Sequence, residues 1–520
     1  MKKTIKRLIA AFTACLLPLT FAACKGKSDG GDVAGENGFL RIKAVKYGYG
    51  TDWLEDLARE FRKDKGINVV IETGVGESAE NAFKSEFESG SSRADLFFSK
   101  RGFFAEKVYT GDNLYAELTD VWNSVADDGS DKTIKEKVSA SYVDAFEIDG
   151  KYYSMPWAGG VLGITRNLSV WNKAGFTDAD YPYTTDQLFA LCDKFKTAPK
   201  TSSDVAAFIY SLESEYYSGW STLFFAQYEG KAVADEFAEG KVDGEYTKDV
   251  STLDGHTKAM EVLEKLVKKS NGYQYADSTE SGYKFSTMQG DFIDGMALFC
   301  INGSWLENET GKTLENFDII KTPIVSALAE KLSFSNLEKS AADAKLAEIV
   351  KYVDDTNDGK SPAKPSGVTD EDIATVKAAR DYAYMNAGVD HTAYVPSYSA
   401  HIRESKEFLK YMYSDKGLSI YRKSLKGATL PATPIGDYIS EVTLSAFRKS
   451  VNAAADEDRC YNRIEKSKYY VLPHLSACYT NGIRPVAQLS SGKSAAEVIN
   501  ANNKYISDMW NEIKKLLGIR

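Results

Sequence analysis

The stretch FLRIKAVKYGYGTDWLEDLAREFRKDKGINVVIE, Phe39–Glu72, decides the fold class. Phe39 to Lys46 reads as a strand. Asp52-x-x-Glu55 is placed to cap a helix on which Leu54, Leu57, Ala58 and Phe61 recur at i, i+3, i+4 and i+7. Gly66 stops that helix, and Ile67 to Glu72 is a second strand. Further on, Ser78 opens another helix with Phe83 and Phe87 on one face, and Ala94 to Ser99 (ADLFFS) is a third strand. This alternation predicts βαβ units and a parallel sheet covered on both faces. Ligands of such sheets bind at the carboxyl ends of the strands. Tyr47 and Tyr49 after the first strand, and Ser99, Lys100 and Arg101 at the end of the third, therefore become candidate contacts.

Two later stretches extend the pattern. In FEIDGKYYSMPWAGGVLGITRN, Phe146–Asn167, Asp149-Gly150 is a hairpin turn signal. Pro156-Trp157-Ala158-Gly159-Gly160 then interrupts before a strand resumes at Val161, which suggests a crossover between domains. MALFCINGSWLEN, Met296–Asn308, begins as an apolar run that belongs in a core, breaks at Asn302-Gly303-Ser304, and puts Trp305 straight after the break. Helices are expected at Thr185–Lys196, Thr222–Tyr228, His256–Lys268, Ser405–Tyr413 and Ser494–Leu517. FDIIK, Phe317–Lys321, followed by Thr322-Pro323, looks like a second crossing. Residues 326–384 read as charged, Ala-rich helix broken at DDTNDGKSPAKPSG, Asp354–Gly367. Asp354, Thr356, Asp358 and Gly359 imitate the start of a calcium loop, but the twelfth position is Pro365 where a bidentate Glu is needed. A plain turn is expected there.

A chain of 520 residues is too long for one core, so two or more domains are expected. The net charge of −10 argues against nucleic acid and a polybasic membrane contact. Lys2, Lys3, Lys6 and Arg7 precede an apolar run, Leu8 to Phe21, and Phe21-Ala22-Ala23-Cys24 ends it; this is a secretory signal. Cys24 at the cleavage point is similar to a bacterial lipobox, with Phe21 in place of the usual Leu, which implies a lipid on Cys24 and removal of residues 1–23. Residues 25–38 are polar and Gly-rich, a tether by composition. Gly26 to Gly30 matches G-x-S-x-G formally, but no strand-to-helix turn surrounds it. Cys192, Cys300, Cys460 and Cys478 form no CxxC pair, so a zinc or redox site is not expected; Cys300 reads as a buried thiol and Cys460–Cys478 as a possible bridge. The four His residues are scattered, with no metal-ligating pair.

Five features in order resemble the family 1 extracellular solute-binding proteins, lipoprotein partners of sugar ABC importers related to the maltose-binding protein. They are the lipobox with its tether, the DLFF strand (95–98), DGKYYSMPW (149–157) with a strand ending at Asn167, FIDGMALFCINGSW (292–305), and SKEFLKYMYSDKG (405–417) followed by GATLP (427–431). The set spans nearly all of residues 39–517, and the 326–384 segment is longer than the family needs. The resemblance implies an α/β, two-lobed periplasmic-binding-protein fold. Each lobe would be a mixed sheet flanked by helices, with a ligand cleft at the hinge. It puts residues 40–157 and 323–425 in one lobe and 158–322 with 426–520 in the other.

The same resemblance implies that Trp305 offers its ring to a sugar face in the cleft. A pyranose has an apolar face and a hydroxyl rim, so its site wants flat rings and short polar or charged groups at the edge. Trp157, Trp220, Tyr217, Tyr47 and Tyr49 are the further candidate rings, with Asn302, Lys100 and Arg101 as rim groups. Gly303 and Gly159-Gly160 are expected to let backbone approach the ligand. Trp53, Trp122, Trp171 and Trp510 read as core. The expected protein is a non-catalytic monomer without a cofactor, lipid-anchored on the extracellular face of the cell membrane or in a periplasm, delivering a mono- or oligosaccharide to ABC permease subunits. A lipid-anchored carbohydrate-active hydrolase is the alternative, which would need two carboxylates flanking the scissile bond. A solute-binding protein for a non-sugar ligand is another; a polyamine site would put acidic residues where Lys100 and Arg101 stand.

Overall fold

The computed structural model describes residues 37–100, 114–126, 131–213, 216–238, 240–249, 252–280, 282–389, 391–428, 432–433, 441–455, 460–462 and 484–519. Cys24, Arg101 and Cys478 lie outside the described residues, as does the side chain of Cys460.

The chain forms strands β1 (Gly38–Lys46), β2 (Ile67–Val75), β3 (Leu96–Ser99), β4 (Glu147–Ile148), β5 (Lys151–Tyr152), β6 (Met155–Pro156), β7 (Gly159–Asn167) and β8 (Ala206–Ile209). They continue with β9 (Lys241–Val242), β10 (Glu245–Tyr246), β11 (Ala297–Gly303), β12 (Phe317–Ile320), β13 (Tyr384–Val389), β14 (Thr392–Tyr394) and β15 (Cys460–Asn462). One sheet has the order β2-β1-β3-β14-β6, with β1 parallel to both β2 and β3. The other has the order β15-β13-β7-β11-β8, and β12 joins it along the far end of β7. Antiparallel pairs mix into both sheets. The expected two-sheet α/β architecture is present.

Local chemistry explains the first unit. The helix Asp52–Lys65 buries Trp53, Leu54, Leu57, Ala58 and Phe61 and stops at Gly66, whose φ of 68° is open to glycine. Asp52 and Glu55 make no capping bond; they sit in the first turn, where carboxylates favour the helix dipole.

The chain passes between the sheets at Trp157-Ala158 and again just before His391. These passages pair with each other: Trp157 N donates to His391 O at 2.9 Å, and His391 N to Ala158 O at 3.0 Å. The second passage differs from the one expected at Thr322-Pro323. Thr322 N donates to Ala383 O, Val325 N to Gln227 Oε1, and β13 then pairs with β7, so residues 323–389 stay with the second sheet. β14 then pairs with β3 in the first sheet. A buried ion cluster fixes the segment: the Arg380 guanidinium grips Asp354 through Nε at 2.9 Å and Nη2 at 2.7 Å, its Nη1 reaches Thr322 O, and Lys321 Nζ lies 2.9 Å from Asp354 Oδ1. Asp354, the first residue of the calcium-loop imitation, thus faces cationic side chains. A third passage follows helix Asp415–Ser424, which packs on the helix Asp52–Lys65; helix Ala446–Ala454 then packs on β12. Among the described residues no helix is long and apolar enough to cross a membrane.

Candidate functional site

Two short turns from different sheets meet at the carboxyl ends of β1 and β11. The first, Tyr47-Gly48-Tyr49-Gly50, is closed by Gly50 N donating to Tyr47 O at 2.7 Å, with Gly50 at φ 66°. The second, Asn302-Gly303-Ser304-Trp305, leaves β11 and is pinned to β7: Ser304 N donates to Val161 O at 2.8 Å, and Val161 N donates to Ser304 Oγ at 3.0 Å. Across the gap Tyr49 Oη and Ser304 Oγ are 2.5 Å apart.

Trp305 is nearly buried, 4% exposed, because its indole folds back on bare backbone. A Cβ on Gly303 would lie 2.2 Å from the ring and one on Gly160 2.6 Å from it. The space at these glycines, expected to admit ligand, is filled by the tryptophan itself. Tyr216 meets the indole edge-on, with centroids 5.5 Å apart. The indole Nε1 has no acceptor among the described residues.

Arg448, from helix Ala446–Ala454, holds this turn from behind. Nη1 donates to Ser304 O and Nη2 to Asn308 Oδ1, both at 2.8 Å, and Nε lies 3.3 Å from Glu307 Oε2. Ser445 Oγ donates to Glu307 Oε1 at 2.5 Å. The guanidinium is 1% exposed, so its charge is matched inside the protein.

Beside the first turn a polar cluster forms. Tyr47 Oη lies 3.1 Å from Ser99 Oγ and accepts from Lys100 N at 3.3 Å. Lys100 Nζ stands 4.9 Å from the centre of the Tyr47 ring and 3.2 Å from Glu80 Oε1. Burial raises the Tyr47 pKa far above its ordinary value, against the lowering by the Ser99 bond, so the phenol stays a donor. Glu80 is 7% exposed while Lys100 reaches solvent.

The other candidate residues pack within the body. The Trp157 ring lies against Trp53, Tyr413 and Tyr421, at 5.7, 5.4 and 5.2 Å between centroids, and so plugs the hinge into the first lobe. Trp220 Nε1 donates to Thr322 Oγ1 at 3.0 Å, and its ring meets Phe224. Tyr217 lies tilted against Tyr210 in the interior, with ring centroids 5.2 Å apart. Asn302 Oδ1 accepts from Gly303 N, and its amide lies beside the Cys300 thiol, which burial pushes up in pKa. Thus Trp305, Tyr49, Tyr47 and Lys100 are brought to one place, and Trp157, Trp220, Tyr217 and Asn302 are directed inward.

Sequence reasoning missed Tyr216, Ser304, Glu80 and Arg448. The helix Tyr216–Glu229 carries a signal for the first: Tyr217, Trp220 and Phe224 share the core face at i, i+3 and i+7, which turns Tyr216 away from it. Arg448 has no local signal, being 144 residues from the Ser304 carbonyl it holds.

Cavities of 430 and 460 Å³ lie elsewhere. They flank helix Thr185–Thr197 and helix Lys339–Asn357. The sequence model of the bacterial extracellular solute-binding protein family matches residues 47–418. No curated protein matches the chain.

Proposed function

The chain belongs to the bacterial extracellular solute-binding proteins, the capture subunits of ABC importers, and we propose that its solute is a mono- or oligosaccharide, held without chemical change between the two lobes and handed to a pair of membrane permeases. The observation that supports the sugar is Trp305: an indole seated on backbone at a strand end, met edge-on by Tyr216, with its N–H lacking an acceptor among the described residues. With the lobes apart, the ring could cover about 50 Å² of a sugar face, which would contribute roughly 1 kcal/mol. The free N–H suits a hydroxyl oxygen. Tyr47, Glu80 and Lys100 supply rim bonds, of which those to charged groups are worth about 1.5–3 kcal/mol each. Because Lys100 already faces Glu80, this rim carries no net charge, which suits a neutral ligand. In this reading residues 38–156 with 392–424 form one lobe and 159–389 with 446–519 the other. Trp157, Trp220, Tyr217 and Asn302 support the lobes rather than touch ligand. A lipid on Cys24 would hold the protein at the membrane, as fractionation of Cys24→Ala would test.

A thermal-shift screen over mono- and oligosaccharides tests the function, since a ligand binding only the native state at about 100 times its Kd adds about 2.7 kcal/mol of stability. At least one sugar should raise the melting temperature and be recovered intact. Trp305→Ala should weaken that sugar by about tenfold, roughly 1.4 kcal/mol. A panel with no shift, or a sugar recovered cleaved, refutes the proposal.

A further inference from the structure

The apolar half of the contact between the two turns is made with no side chain on one side, that of Gly48. A Cβ on Gly48 would fall 2.8 Å from Trp305 Cγ and 2.9 Å from its Cβ, distances that neighbouring carbons do not tolerate. Gly48 lies outside the left-handed region, so its own backbone accepts alanine; the neighbour alone forbids it. The next residue supplies the polar half of the contact, Tyr49 Oη to Ser304 Oγ at 2.5 Å, with Tyr49 2% exposed and Ser304 fully buried. Ser304 is fixed by Val161 and by Arg448, so it cannot follow a displaced Tyr49 without breaking bonds within its own lobe. A second bond crosses between the lobes further along, Asn386 Nδ2 to Tyr142 Oη at 2.5 Å.

We propose that Gly48 is a positioning residue for ligand capture. Its bare backbone is the face of the first lobe against which Trp305 seats when the lobes meet, and Tyr49 with Ser304 latches that state. Gly160 and Gly303 hold the indole from its own lobe, whereas Gly48 holds it from the opposite one. The indole is therefore locked on closing and released on opening, and the size of residue 48 sets how far the lobes approach. The proposal rests on the capture reading for its purpose, but its geometry is testable with no ligand present.

The experiment is small-angle scattering on the ligand-free protein and three variants, with urea unfolding alongside to show that each is folded. Gly48→Ala should shift the radius of gyration upward at an unchanged unfolding slope. Gly48→Ala with Trp305→Ala should return it to the value of Trp305→Ala alone, because the added methyl then meets no ring. Tyr49→Phe, which removes only the latch hydroxyl, should also shift it upward and stands in if Gly48→Ala does not fold. An unchanged radius in both Gly48→Ala and Tyr49→Phe overturns the proposal, as does an expansion that Trp305→Ala fails to reverse. A sugar panel that fails on the wild type would remove the capture reading and leave these results standing.

Discussion

The imidazole of His391 is fully buried where the chain returns from the second sheet to the first, with Nε2 2.9 Å from the Val45 carbonyl. A carbonyl only accepts, so Nε2 carries a proton. Burial moves its pKa down to about 4, against the raising effect of the Val45 bond. The unfolded chain has an ordinary histidine near 6.5, so between about pH 6.5 and 4 the unfolded state binds a proton that the native state refuses. Stability is complete above that window, falls within it by about 1.4 kcal/mol per pH unit as pH falls, and levels off below it. At pH 5 the loss from this one residue is about 2 kcal/mol. The urea midpoint should drop between pH 7 and pH 5, and His391→Gln should remove that part of the drop; a slope equal in both proteins would exclude His391 as its source. The same scale shows what a sequence hides about aromatics. Trp305 and Trp220 both stand beside small-residue breaks, yet one indole N–H has no acceptor among the described residues and the other is spent on Thr322. The difference lies in which way each backbone turns.

Helices were legible wherever an apolar stripe sets their phase, as in Asp52–Lys65 and Ile402–Met412, whose buried faces follow the 3.6-residue repeat. Their partners were not. Helix Lys339–Asn357 ends beside Asp354, and what holds it is Arg380, 26 residues on. Burial alone would raise the Asp354 pKa, but Arg380 and then Lys321 overcome it and keep the carboxyl below its ordinary range. Such a cluster is costly to break from one side, because the surviving charge is left desolvated. Arg380→Met should destabilise by about 3–5 kcal/mol in urea. Adding Asp354→Leu should recover part of that, since an apolar pair in place of a buried ion pair is often neutral or better. Losses that simply add would show that the two charges act separately. The segment from Asp354, expected to be a plain turn because a twelfth calcium ligand is missing, stays helical to Asn357, and Asp354 meets Arg380 and Lys321 instead.

At the scale of the molecule, the two-sheet plan was legible because β1, the helix after it and β2 are read locally, whereas the path between sheets is set by distant pairing. Pro156-Trp157-Ala158 announces the first passage; the second carries no such mark, and Thr322-Pro323 imitates one while the chain merely turns back along β7. The same plan decides where an anchor can be tolerated. Asn37 is docked at the start of β1, with its N and Nδ2 donating to Gly66 O and Lys65 O, so the chain leaves the body at the amino end of the parallel strands. The turn carrying Gly48 and Tyr49 lies at the other end of β1, nine residues or about 30 Å away. The twelve residues 25–36 reach at most about 40 Å. A lipid on Cys24 would thus hold the body near the membrane by the end opposite the site. Two or three acyl chains bind a bilayer firmly where one does so only marginally. The wild type should therefore fractionate with membranes and leave them only in detergent, while Cys24→Ala should be soluble with the same sugar affinity. Wild-type protein in the soluble fraction would dispose of the anchor; a soluble variant with weakened binding would mean that the amino-terminal segment reaches the cleft after all.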